Sequence, residues 1–279
     1  MKKSNRRNRI FLQNINFYFS LFFFLLFSIF SRSALGEQKW KLIENKEMGS
    51  INACAPLLSF SLKKESNTQI EEAKVKGLIF EEKDFLLTLI DVPSGKNSLF
   101  QSIIETSSLA GINGGYFKAD RTPLGLLVKQ GRIIHPQERA NILSGFLVST
   151  KRKISLLRVG EPTSEEAGDI LQAGPFLLDQ AYPVKGLDTK KSAYRSFVAT
   201  TGNGTWMIGI ISPVTLQEAS QILYVVSKKY MIPHFHQPFT RALNLDGGSS
   251  CSFMAKTEPT PFFFREDVCV RNFLGLEKK

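Results

Sequence analysis

Along most of the chain, apolar and polar residues alternate over short runs bounded by Gly, Pro, Asn or Asp, a pattern that predicts strands. Only two stretches repeat at a helical period. Residues 85–90 form a β-rich run closed by the turn residues Asp91, Pro93, Ser94 and Gly95. Asn97 is placed to cap a helix that buries Leu99, Ile103 and Ile104. Residues 109–112 read as a strand running straight into Asn113-Gly114-Gly115, and residues 124–134 read as a hairpin turning at Gln130-Gly131-Arg132. Two further strands, 146–149 and 154–159, flank a Lys/Arg turn, and 197–200 with 206–211 form a hairpin across Gly202-Asn203-Gly204-Thr205. Thr215 begins the long helix: Leu216, Ala219, Ile222, Leu223 and Val226 recur on one face, and Glu218 completes a capping box. Residues 242–245 are a last buried strand before Asp246-Gly247-Gly248-Ser249-Ser250. The sum is an α+β single domain of mostly antiparallel β-sheets with two principal helices.

Composition changes this picture at one end. The 279 residues carry a net charge of +11, a balance that ordinarily raises nucleic acid or an anionic membrane as partner. Six of those charges (Lys2, Lys3, Arg6, Arg7, Arg9 and Arg32) fall within residues 1–36, which hold no acid and have an apolar run dense from Phe17 to Phe30. Small residues at Ala34 and Gly36 close the stretch, the pattern of an export signal peptide. The alternative is an uncleaved N-terminal anchor, because residues 10–30 approach the ~20 apolar residues of a membrane span. Either reading predicts an exported body over residues 37–279, in the periplasm, in the cell envelope or secreted, with membrane contact only through the leader. No nucleic-acid motif is present. Three cysteines allow at most one internal bridge: Cys251 and Cys269 either pair across a hairpin or are small buried residues.

Two segments share a design that points to chemistry. In Asn113-Gly114-Gly115-Tyr116-Phe117 and in Asn244-Leu245-Asp246-Gly247-Gly248-Ser249, an apolar strand ends in a polar side chain followed by paired glycines. Such turns leave amide N–H groups open to ligand oxygens, although Asn-Gly and Asp-Gly are also favoured simply as tight turns. Gln172-Ala173-Gly174-Pro175 has the same polar-edged, small-residue character, and the Arg195 fork matches a phosphate or carboxylate.

Taken in order, Asn113 to Phe117, Pro123 to Leu126, Gln172 to Pro175, Arg195-Ser196 and Leu243 to Ser250 resemble the phosphodiester glycosidase family, with the likeness running from about residue 85 to 275. Tyr194-Arg195-Ser196 departs from the family's Pro-Arg-Thr. The resemblance implies hydrolysis of a sugar from a glycosyl-1-phosphodiester, such as a GlcNAc-phosphodiester in a surface polymer or phosphorylated glycan, with no cofactor and no metal. In this reading Asp246 is the carboxylate, acting as nucleophile or general base. The amides of Gly114, Gly115, Gly247, Gly248 and Ser249 hold the phosphate together with Arg195. Asn113 and Asn244 bond sugar hydroxyls or orient Asp246, and Gln172 and Gly174 border the substrate. Asp120, Asp179 and Glu138 are available if a second carboxylate is needed. The alternatives are a non-catalytic envelope module that binds an anionic glycan, and a metallohydrolase built on His234 and His236. His135 is a half-buried or site-mouth residue, Asn203-Gly204-Thr205 a hairpin turn or glycosylation acceptor, and Phe262-Phe263-Phe264 a buried strand or an exposed strip.

Overall fold

The computed structural model describes residues 39–65, 69–162, 168–229 and 237–279. The leader at 1–36 and the pair His234 and His236 lie outside them. In chain order the elements begin with β1 (Lys41–Ile51), β2 (Ala55–Glu65), β3 (Ile70–Glu81), β4 (Phe85–Asp91), α1 (Leu99–Glu105), β5 (Ala110–Asn113), β6 (Leu127–Lys129) and β7 (Arg132–His135). Next come β8 (Gly145–Ser149), β9 (Ile154–Arg158), β10 (Asp169–Ala173), β11 (Phe176–Asp179), β12 (Tyr182–Pro183), β13 (Ala193–Thr200) and β14 (Thr205–Val214). The last are α2 (Leu216–Lys229), β15 (Arg241–Asn244), a 3-10 turn (Gly248–Ser250), β16 (Phe253–Ala255), β17 (Phe262–Phe264) and β18 (Asn272–Lys278).

The strands make three antiparallel sheets: β1-β2-β3-β14-β13-β15-β11-β12, β7-β6-β10-β8-β9 and β17-β16-β5-β18-β4. One core joins them, with Leu78 and Ile208 from the first sheet, Leu147 and Leu171 from the second, and Ile112 and Phe253 from the third. The far face of the first sheet is covered by α2, where Ala219, Ile222, Leu223 and Val226 meet Phe60, Met207 and Ile211. The far face of the third sheet is covered by α1 through Leu99 and Ile103. The α+β fold with two helices is therefore as expected.

The strand pattern explains both the expected elements and the unexpected ones. β3 alternates at its start, Ala73 and Val75 buried between exposed Glu72 and Lys74. It becomes continuously buried from Gly77 to Phe80, because there both faces are covered, Phe80 by the central core and Ile79 by the α2 side. The charge-rich sequence before residue 85 nonetheless forms the long β1-β2-β3 meander, and β1 stays mostly exposed at the sheet edge, where Lys and Glu discourage edge-to-edge pairing.

Four expectations are corrected. The cap of α1 is Ser98, whose hydroxyl accepts from Gln101 N while the Gln101 side chain reaches back to Ser98 N; Asn97 instead donates to Glu105. With that start, Leu99, Ser102 and Ile103 share the buried face and Ile104 turns out to solvent. Cys251 and Cys269 are not paired: Cys251 is buried against Ser196, and Cys269 is exposed. Phe262-Phe263-Phe264 is a strand, but at a sheet edge with Phe263 exposed. The capping box of α2 forms as read, Thr215 and Glu218 bonding reciprocally. Among the described residues no helix is long and apolar enough to cross a membrane.

Leu223 and Ile104 test this layering. Leu223→Ala removes a fully buried side chain, so chemical denaturation should report a loss of about 2–5 kcal/mol. Ile104→Ala should stay within about 0.5 kcal/mol of the parent.

Candidate active site

The polar residues singled out in the sequence converge where β5 meets the ends of β13 and β15. Asn113 ends β5 completely buried, and every polar atom of its side chain is engaged. Its Nδ2 donates to the Asp246 carbonyl at 2.7 Å and to the Gly114 carbonyl at 3.4 Å. Its Oδ1 accepts from the Ser196 hydroxyl and from Ser252 N. Asp246 N in turn donates to the Gly114 carbonyl at 3.0 Å, so the Asp246 backbone is held from both sides by residues 113 and 114. Asn113 therefore braces Asp246 and has no donor left for a sugar.

The Gly114 and Gly115 amides do not form an anion cradle. Gly114 N donates to the Asn272 carbonyl at 2.9 Å and Gly115 N to Asn272 Oδ1 at 2.8 Å, and both glycines are buried. Glycine is needed at 114 for lack of room, since a Cβ there would stand 2.0 Å from Asn272 Oδ1. The second Gly-Gly turn is different. Gly247 N caps Asp246 Oδ1 at 2.9 Å, and its missing Cβ allows the Tyr194 carbonyl close by. Gly248 takes φ +63 with nothing within 4 Å of its absent Cβ. The Gly248 and Ser249 amides carry no hydrogen bond among the described residues.

The Asp246 carboxyl is pushed up to about 6, first by burial, against the opposing effects of the Ser250 hydroxyl, the Gly247 amide and the positive charge of Lys191. Around it stand three further groups. Burial and the Asp246 charge push the Tyr116 hydroxyl upward; it donates to the Gly174 carbonyl at 2.6 Å and accepts from Asn244 Nδ2 at 2.8 Å. The Cys251 thiol is pushed up to about 12, chiefly by burial. Arg195, also buried, has its guanidinium lowered by desolvation.

Arg195 does not present a free fork. Nε donates to the Val214 carbonyl at 3.0 Å and Nη2 to the Lys191 carbonyl, which leaves Nη1 for other partners. Asn244 gives its amide to Tyr116 and to the Gly174 and Leu245 carbonyls. Gln172 is equally committed: Oε1 accepts from Leu126 N and Glu138 N, and Nε2 donates to the Glu138 and Leu143 carbonyls. Gly174 contributes its carbonyl, and a Cβ on it would meet the Ile142 carbonyl at 2.3 Å. Asn244 Oδ1, Ser252 Oγ and Asn272 Nδ2 are buried without hydrogen-bond partners among the described residues.

Among the candidates for a second carboxylate, Asp120 is exposed and bonded to Thr122 N, while Asp179 is bound by Arg158 and Arg241. Glu138 lies 3.2 Å from Lys118 and 3.6 Å from His135 Nε2. No group of three metal-ligating side chains occurs among the described residues. Asn272, Lys191, Ser252 and Cys251 are among the participants given no role from the sequence. Only Asn272 left a local signal, an amide side chain opening the apolar run Phe273-Leu274-Gly275-Leu276.

The phosphodiester glycosidase family model matches residues 106–276. No curated protein matches the chain. Among solved structures, the catalytic domain of zebrafish N-acetylglucosamine-1-phosphodiester alpha-N-acetylglucosaminidase, auto-inhibited by its pro-peptide, aligns with a TM-score of 0.60 at 13% identity, over 85% of this chain and 89% of that one. A hypothetical protein from Synechocystis aligns with a TM-score of 0.55 at 14% identity, over 85% of this chain and 64% of its own. A Burkholderia pseudomallei protein named only as a candidate for export gives 0.50 at 10% identity, over 88% and 98%. At these identities the structures share the fold.

The tight fit at Gly114 is open to a double-mutant cycle. Gly114→Ala should cost more than about 2 kcal/mol in denaturation, because it drives Asn272 off the buried Gly115 amide. Adding Asn272→Ala frees the space, so the double variant should be less destabilised than the sum of the two single variants. Simple additivity would show that the two residues do not share this constraint.

Proposed function

Because the chain belongs to the phosphodiester glycosidase family, we propose that it hydrolyses a sugar-1-phosphodiester at Asp246, releasing the sugar and a phosphomonoester. The observation that carries this reading is a single half-buried carboxylate whose backbone is clamped by Asn113 and Gly114 and whose proton is held near neutrality. A carboxyl at about 6 is mostly ionised at neutral pH, as a nucleophile or general base must be, yet basic enough to act.

One carboxylate suffices for this leaving group. When the bond between the anomeric carbon and the phosphate oxygen breaks, the electron pair leaves with the phosphate, a stable anion that needs no protonation. An alkoxide leaving group would need a second, protonated carboxyl. The new bond at the anomeric carbon comes from Asp246 Oδ, giving a glycosyl ester that water then hydrolyses to free sugar and the regenerated carboxylate, or directly from a water that gives its proton to Asp246. Lys191, whose charge acts on the Asp246 carboxyl, Arg195 Nη1, whose charge acts on Tyr116 and Cys251, and the free amides of Gly248 and Ser249 support charge stabilisation on the departing phosphate.

The substrate class in this proposal is a GlcNAc-1-phosphodiester, in keeping with the name of the zebrafish enzyme. The leader-like first 36 residues support an exported setting in which such a link belongs to a surface polymer or glycan.

The test is release of free sugar from a synthetic GlcNAc-α-1-phosphodiester, unaffected by chelator. Asp246→Asn should abolish it. The same variant should be at least as stable as the parent at pH 8, since it removes a buried charge. Tight binding without product would leave only a glycan-binding module. With Asp246 ionised as the active form, kcat/KM should rise with pH and level off above about 6. The stability sign is opposite: the folded carboxyl takes its proton at about 6 against an ordinary 3.8, so its stabilising effect is complete below the ordinary value and lost as pH rises through about 6. A pH–rate profile that falls through 6 would assign Asp246 as an acid and refute this mechanism.

A further inference from the structure

A second polar feature lies away from Asp246. Along the outer edge of β4 runs a cleft of about 970 Å³, lined by Leu86 to Ile90 on one side and by the tips of the β6–β7 and β8–β9 hairpins on the other. A second cleft of about 510 Å³ shares Lys129 and Gln130 with it and ends at Arg132, Asp91 and Arg271. Neither is lined by Asn113, Asp246 or Arg195. Asp169 at one end of β10 borders the first cleft, and Gln172 near the other end belongs to the Asp246 neighbourhood, a separation of roughly 10 Å along the strand.

Among the described residues the groove holds more cations than acids. Its three acids are committed: Asp169 accepts from Gln130 N and Leu89 N, Glu277 accepts from the Thr88 hydroxyl, and Asp91 pairs with Arg271 at 3.1 Å. Its cations Lys129, Arg132, Lys151 and Arg152 have side chains without a hydrogen bond or ion pair among the described residues. Both hairpin tips that present them are braced. Lys129 and Arg132 face each other across Gln130-Gly131, both at positive φ, with Gly131 N bonded to the Gly168 carbonyl at 2.6 Å. The Thr150 hydroxyl accepts from Arg152 N and Lys153 N, fixing the second tip.

We propose that this groove binds one strand of a polyanionic glycan, with Lys129, Arg132, Lys151 and Arg152 meeting successive anionic groups along β4. Arg132, Lys151 and Arg152, with Lys129, whose charge also acts on the Asp91 carboxyl, are spread over two rigid tips and fit a linear polymer better than one small anion, and release of its counterions supplies the driving force. Addition of a peptide strand to the β4 edge is disfavoured because Asp169 already occupies the outward Leu89 amide. The inference does not depend on hydrolysis at Asp246.

The test is equilibrium binding of the purified full chain to fluorescent dextran sulfate, with neutral dextran as the control polymer. The protein should bind the sulfated polymer only, and more weakly as salt rises. Replacing Lys151 and Arg152 by Gln, or Lys129 and Arg132 by Gln, should weaken binding about tenfold per pair and reduce the slope of log affinity against log salt by about one for each cation removed. Lys46→Gln with Lys74→Gln, the same charge change on β1 and β3, should leave affinity unchanged. Asp246→Asn should also bind normally, so failure of the groove and failure of the hydrolase reading are told apart. Equal binding of neutral dextran, displacement by an uncharged extended peptide, or equal losses from the Lys46/Lys74 pair would overturn the proposal.

Discussion

The arrangement at the site depends on one buried amide. Asn113 reaches from the third sheet to the first, giving its donor to the carbonyl of Asp246 and its acceptor to Ser196 and Ser252. Because a buried amide left unbonded costs about 1–3 kcal/mol per group, the two sheets are held in the one relation that satisfies it. The carboxylate of Asp246 inherits its position from that requirement. Gly114 and Gly115 follow from the same constraint: they bring β5 close enough to β18 for Asn272 to fix the turn from behind.

Electrostatics then follow from position. A carboxylate brought out of water this far becomes harder to ionise, and what keeps it near neutrality is a modest set of opposing groups, Ser250, the Gly247 amide and Lys191. Arg195 acts on Tyr116 and Cys251 from a fixed place because backbone carbonyls at Val214 and Lys191 hold two of its nitrogens. An arginine held in this way loses little freedom when an anion arrives. The second Gly-Gly turn differs from the first in its surroundings: the first has no space beside it, whereas Gly248 opens onto an unfilled side.

Much of the fold was legible because the hydrophobic period and turn residues carry it. Both helices, the hairpins at Gln130-Gly131 and Gly202 to Thr205, and the strands leading into Asn113 and Asp246 follow from local pattern. The β1-β2-β3 meander was not legible, since an edge strand rich in Lys and Glu looks like solvated surface until its partner is known. At the site, the sequence singled out Asn113, Asp246, Arg195 and the glycines, and the ordered motifs identified the family. What it could not supply was direction. Whether the Gly114 amide faces a ligand or Asn272, and whether Gln172 faces a substrate or stitches the loops at 126 and 138–143, is decided by contacts across long separations. The same holds for the α1 cap, where Ser98 and Asn97 are both acceptable and only the packing of Leu99 selects one.

Those separations also govern when the site comes into existence. The bonds that define it join residues 83, 133, 139 and 157 positions apart. Contacts of this kind form late and slowly, after the loops between them have closed. A chain synthesised only as far as residue 270 has Asp246 but lacks Asn272, so the turn at Gly114 has no backing. The bracing around Asp246 is thereby incomplete in the growing polypeptide until β18 has been made.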